Sequence, residues 1–84
     1  MSELLELKMA LEKEHLRHVM RDGKVECAVL GGDLFMVYEK PNGLCMEHIW
    51  RYSRDGIIRE RMSILDILRE VRNATRKEKR LYGR

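Results

Sequence analysis

The side chains best suited to chemistry in this 84-residue chain are three histidines, two cysteines and a scatter of carboxylates, and their spacing argues against a shared site. His15 and His18 are three apart, which would set them on one helix face beside Glu14. Strong zinc signals, however, need paired ligands at defined spacing, such as two CxxC units. Cys45 and His48 are also three apart, but on a strand that parity points them to opposite faces. The same parity denies them a Cys–His dyad, which needs hydrogen-bond reach. Cys27 falls within an apolar strand and is expected to be buried. Ser2 and Ser63 read as helix caps and Ser53 as a turn residue, so no serine is left as a nucleophile. Asp33, Glu39 and Glu47 are carboxylates that nothing singles out for acid–base work. Gly31-Gly32-Asp33 lacks the GxxxxGK spacing of a phosphate loop. No catalytic residue, metal or cofactor is therefore expected, and the chain reads as a non-enzymatic protein.

The elements that would position these residues follow from turn signals. Val25–Leu30 and Leu34–Glu39 are apolar runs separated by Gly31-Gly32, a pair suited to a two-residue hairpin loop. That loop would set Val29 opposite Leu34, Cys27 opposite Met36 and Val25 opposite Tyr38. Pro41-Asn42-Gly43 suits a three-residue loop with Gly in the left-handed position, which pairs Lys40 with Leu44 and Met36 with His48. The expected core face then carries Val25, Cys27, Val29, Leu34, Met36, Tyr38, Leu44, Met46, His48, Trp50 and Tyr52. Trp50 and Met36 should be among its most buried residues, with His48 beside them. The expected second face carries Ala28, Leu30, Phe35, Val37, Cys45 and Ile49, apolar in the middle and charged at its margins. A fourth run, Ile57–Met62, follows Ser53-Arg54-Asp55-Gly56; its register is open, and Arg59, Glu60 and Arg61 suit an edge strand.

A helix brackets the sheet at each end. Ser2 caps the first, which is expected to reach about Met20 and stop at Asp22-Gly23. Its apolar arc, with Leu4, Leu7 and Leu11 on one ridge and Leu5, Met9, Leu16 and Met20 on another, is wider than docking on one surface requires. In the second, Ser63 and Asp66 form a capping-box-like start, and Ile64, Ile67, Leu68, Val71 and Ala74 recur at helical spacing. From Arg76 onward the helix is expected to fray within a turn or so. The fold expected is α+β, in the order α-β-β-β-β-α, an antiparallel meander with both helices packed on one face. Residues 1–75 form one compact domain and residues 76–84 a basic helix end.

Composition narrows the partners. A chain this short buries only about 60% of its unfolded surface, which favours oligomerisation. Two cysteines cannot make a disulfide framework and suit reduced thiols in the cytoplasm. The N-terminal apolar residues alternate with Glu3, Glu6 and Lys8, unlike a signal peptide, and no apolar run approaches the ~20 residues of a membrane span. The net charge of +3 is uneven: residues 69–84 hold seven basic and two acidic side chains, the rest ten and twelve. Arg72, Arg76, Lys77, Lys79, Arg80 and Arg84 could thus meet a phosphate backbone, or simply complement the helix dipole. The element order is similar to that of double-stranded-RNA-binding domains. Those carry a Lys-rich cluster at the start of the last helix, where this chain has Ser63-Ile64-Leu65-Asp66, so no family is assigned. The function expected is protein–protein contact, as a regulator, inhibitor or adaptor, through the apolar second face or the first helix. A homodimer or another protein would cover that face; nucleic-acid binding through the basic segment is the alternative. Size and element order also suit a phage or mobile-element accessory protein.

Overall fold

A computed structural model of the chain describes residues 2–29, 33–50 and 56–82, with the side chains of all of these except Trp50 and residues 78–82. The order is α1 (Glu3–Lys13), β1 (Val19–Arg21), β2 (Lys24–Ala28), β3 (Asp33–Lys40), β4 (Gly43–Trp50), β5 (Gly56–Met62) and α2 (Ile64–Tyr82). The strands form one antiparallel meander in sequence order. The α+β class and the packing of both helices on one sheet face are as expected. The sheet, however, has five strands rather than four.

The extra strand comes from residues expected to be helical. The Leu5 N–H donates to Ser2 Oγ at 3.2 Å, so the N-cap is the expected one. The C-terminus arrives early. His15 adopts φ 57°, the Leu16 N–H donates to the Leu11 carbonyl at 2.9 Å, and the His15 N–H to the Glu12 carbonyl at 3.0 Å. This is a Schellman ending with His in the place Gly usually takes. Leu16 packs back on the core and seals it. The released chain forms β1, and Asp22 (φ 51°) and Gly23 (φ 73°) make the turn into β2. Positive φ at both central residues is what a type I′ hairpin needs.

Each of the two following hairpins sits one residue from the expected register. Ala28, not Val29, faces Leu34, and the Val29 N–H donates to the Asp33 carbonyl at 2.9 Å. Lys40 faces Gly43, not Leu44, across a two-residue Pro41-Asn42 loop. The two displacements have the same sense, so β3 slides by one against both neighbours. β2 and β4 keep their expected faces, and β3 is inverted. Phe35 and Val37 are buried in the core, while Leu34, Met36 and Tyr38 turn to the other face. Met36 is only half-buried, and the side chain of Trp50 and all of Tyr52 lie outside the described residues. The inverted register also brings Glu39 to the helix side, where its Oε1 accepts from the Leu4 N–H at 3.3 Å in the first turn of α1.

The core joins Leu4, Leu7 and Leu11 of α1 and Ile67, Leu68 and Val71 of α2 to Val25, Cys27, Phe35, Val37, Leu44, Met46 and Met62 of the sheet. The α2 start is the expected capping box: the Asp66 N–H donates to Ser63 Oγ and the Ser63 N–H to Asp66 Oδ2, each at 3.2 Å. These bonds hold the Asp66 carboxyl below its ordinary pKa. α2 stays helical to Tyr82, somewhat further than the expected turn or so past Arg76. β5 pairs Ile49 with Gly56 and Met46 with Arg59, then bulges, so that Glu60 and Arg61 lie against Cys45, with Arg61 at φ 55°.

Candidate functional site

Both helices occupy one face of the sheet, and among the described residues no helix covers the other. Strand parity sets Ala28, Leu34 and Ile49 in one row across it. The next row is Val19, Glu26, Met36, Glu47 and Ile58. Beyond it Lys24, Tyr38 and Cys45 lie side by side, followed by Lys40. Ala28, Val19 and Ile58 are exposed, and Ile58 keeps 57% of its accessible surface. Leu34, Met36, Tyr38 and Ile49 are half-buried, although no helix lies over them.

Charge is arranged around this apolar centre. Lys24 Nζ lies 5.4 Å and Lys40 Nζ 5.9 Å from the Tyr38 ring centroid, so two ammonium groups flank one aromatic ring. Lys40 also pairs with Glu60 at 3.0 Å, and Arg21 approaches Glu26 at 3.9 Å. Lys24 and Glu47 make no ion pair among the described residues. Cys45 is fully buried beneath this rim, at the base of a cavity of about 190 Å³ with Lys40, Pro41 and Glu60 in its wall. A hydrogen bond with Cys45 raises the Tyr38 hydroxyl pKa, with burial adding to it.

The expected interface residues divide. Ala28, Cys45 and Ile49 are on the uncovered face, Leu30 lies outside the described residues, and Phe35 and Val37 are core. Leu34, Met36, Tyr38, Val19 and Ile58 take their place. The signals that could have found them are Asp22-Gly23, the strongest short hairpin pair, and Pro41-Asn42 read as a two-residue loop.

The candidate chemistries stay dispersed. His15 caps α1 and His18 lies in the loop after it, its Nδ1–H donating to the Leu16 carbonyl at 2.8 Å, so they do not share a helix face. Among the described residues no three His, Cys, Asp or Glu side chains gather where one ion could be held. His48 stacks on Phe35 with ring centroids 4.3 Å apart, and its Nε2–H donates to Asp33 Oδ1 at 3.1 Å. Parity keeps it on the helix side, away from Cys45. The Cys27 thiol is pushed up to about 12 by burial.

The basic segment is only partly independent. Arg72 is committed to Glu14 by two hydrogen bonds of 2.6 Å, and Arg69 approaches Asp66 at 3.9 Å. Arg76 and Lys77 are exposed and make no ion pair among the described residues. The side chains of Lys79 and Arg80, and all of Arg84, lie outside the described residues. Among the described residues no helix is long and apolar enough to cross a membrane. Comparison with protein-family models, with characterised proteins and with solved structures finds no match to this chain.

Proposed function

We propose that this chain is a non-enzymatic binding protein that works, as a regulator, inhibitor or adaptor, by docking its uncovered sheet face on another protein surface. The observation that carries this reading is the exposed, strand-built apolar surface centred on Met36 and Tyr38 and edged by Ala28, Leu34, Ile49 and Ile58. Such a patch, rimmed by charge, is the usual mark of a contact surface. Strand positions hold it rigidly, so little conformational entropy is lost on docking. The exposed α1 residues Leu5 and Met9 offer a second, smaller ridge. Two buried free thiols suit a reducing cytoplasm. Capture from an extract of the native host, with the wild-type chain and Met36→Glu side by side and with and without nuclease, tests this reading. Partners lost in Met36→Glu and indifferent to nuclease support it; partners kept by Met36→Glu overturn it.

The continuation of α2 favours a second reading. The helix runs to Tyr82, past Ala74, the last described residue packed on the core, and carries exposed Arg76 and Lys77. In this reading Arg76, Lys77, Lys79, Arg80 and Arg84 form a positive field for a phosphate backbone. Nuclease-sensitive capture that is lost on removing residues 76–84 would select it.

A further inference from the structure

We infer that the occupant of the uncovered face is a second copy of this chain, docked about a twofold axis that passes between Met36 and Tyr38. This rests on the reading of that face as a contact surface and names the partner. The reason is charge complementarity. Of the charged positions 24, 26, 40, 47 and 60 around the patch, Glu26 approaches Arg21 and Lys40 pairs with Glu60 within the chain. Of these five, Lys24 and Glu47 are the two with no ion pair among the described residues; Arg61, at the β5 bulge beside Glu60, has none either. They lie on opposite sides of β3: Lys24 beside Tyr38, and Glu47 directly opposite Met36. The midpoint between them therefore falls between Met36 and Tyr38, at the centre of the apolar patch.

A twofold contact is isologous: if residue i of one copy meets residue j of the other, j also meets i. The axis that lies in the interface, passes through that midpoint and runs perpendicular to the line from Lys24 to Glu47 brings Lys24 of each copy onto Glu47 of its partner. Both unpaired charges are satisfied twice over by one symmetry operation. The same operation stacks the Met36–Tyr38 centres of the two sheets on each other and closes the apolar patch away from water. Size is consistent with this. Five strands spaced ~4.8 Å and about 20 Å long present on the order of 500 Å² of plane, and side-chain relief raises this toward the ~800 Å² per partner of a standard interface.

Charge reversal tests the pairing. Lys24→Glu and Glu47→Lys each set like charges together across the axis at two places, while the double variant restores opposite charges with the signs exchanged. Sedimentation equilibrium of the wild-type chain should show a dimer at micromolar concentration. Each single reversal should raise the dimer dissociation constant tenfold or more, which at this scale is about 1.4 kcal/mol. The double variant should return to within about threefold of wild type, roughly half that free energy. Circular dichroism should show all three variants folded, as expected for side chains outside the core. A wild-type monomer at every concentration overturns the twofold pairing but not the docking face, which the Met36→Glu capture judges separately. A dimer insensitive to both reversals and to Met36→Glu forms through another surface and overturns the pairing, while the Met36→Glu capture still judges the docking face. A dimer weakened by Met36→Glu but not rescued in the double variant overturns the pairing alone.

Discussion

Arg72 of α2 lays its guanidinium against the carboxylate of Glu14 at the end of α1, Nε to Oε1 and Nη2 to Oε2, each at 2.6 Å. This two-point contact joins the helices at the place where α1 stops and the chain turns towards β1. The hydrogen bonds from Arg72 hold the Glu14 carboxyl below its ordinary value of 4.5. A carboxyl whose folded pKa is depressed contributes stability that is fully present above its unfolded pKa and lost as pH falls through the folded one. Asp66, depressed by its cap bonds, acts in the same direction from 3.8. The wild-type chain should therefore melt higher than Arg72→Ala at neutral pH, and the gap should close below about pH 4.5, the carboxylate range. A gap that persists unchanged at pH 2 would show that Arg72 acts through packing and not through Glu14.

The inversion of β3 has a plain consequence for adjacent residues. Phe35 is 1% exposed and Val37 fully buried, while Met36 between them faces the uncovered side. Phe35→Ala should cost about 3–5 kcal/mol in urea denaturation, the range for a deleted core aromatic. Phe35→Glu should not fold. Met36→Glu, compared with wild type at concentrations where both are monomeric, should stay within about 0.5 kcal/mol, as surface substitutions do. The opposite ranking, with Met36→Glu the more damaging for folding, would restore the register in which Gly31-Gly32 forms a two-residue loop.

That register shows where sequence reasoning works and where it stops. The Ser63–Asp66 capping box and the Ile67–Leu68–Val71 stripe are local signals, and they specify α2 without knowledge of the rest. β2 alternates Lys24, Val25, Glu26 and Cys27, so its face is legible too, and in β4 the single charged residue Glu47 marks the side away from the core. β3 is apolar at Leu34, Phe35, Met36, Val37 and Tyr38 in unbroken succession, so only loop length decides its face, and one residue of loop inverts it. The end of α1 is hidden for another reason. Positive φ is uncommon in a residue with a Cβ, so His15 gives no sign in the sequence of the Schellman turn it closes. With the helix read through to Met20, Asp22-Gly23 looks like a helix stop and not the hairpin it makes.

Both cysteines should be silent in the folded chain. Cys27 and Cys45 are fully buried, on opposite faces of the sheet, and burial alone pushes the Cys27 thiol up to about 12. Thiolate is the reactive form, so raising the pH to 9 should not expose Cys27 to a disulfide reagent. Titration with such a reagent should count no thiols natively and both after unfolding in urea. Rapid native labelling would mean that the rim of Lys40 and Glu60 over Cys45, or the core around Cys27, opens readily.

If the end of α2 meets nucleic acid, it does so as a field of charge. With about four phosphate contacts from Arg76, Lys77, Lys79 and Arg80, log affinity should fall with log salt at a slope near −3 to −4. Arg72→Ala should leave that slope unchanged, because Arg72 is held by Glu14. Removing residues 76–84 should abolish binding and barely shift the melting temperature. Absence of any gel shift with duplex DNA, duplex RNA or single strands at low salt removes this reading.

Methionine oxidation tests the docking face most directly, because the chain carries a reporter in each environment. Met46 is fully buried in the core, Met9 on α1 keeps 57% of its surface, and Met36 is half-buried at the centre of the uncovered face. Peroxide oxidation followed by mass spectrometry reads all three in one sample. In the dilute chain Met36 should oxidise, Met9 faster and Met46 hardly at all. At micromolar concentration, or in native host extract, Met36 should slow several-fold towards the rate of Met46 while Met9 is unchanged. Met36 oxidising at its dilute rate under both conditions would show that nothing covers this face and would contradict its role as the contact surface.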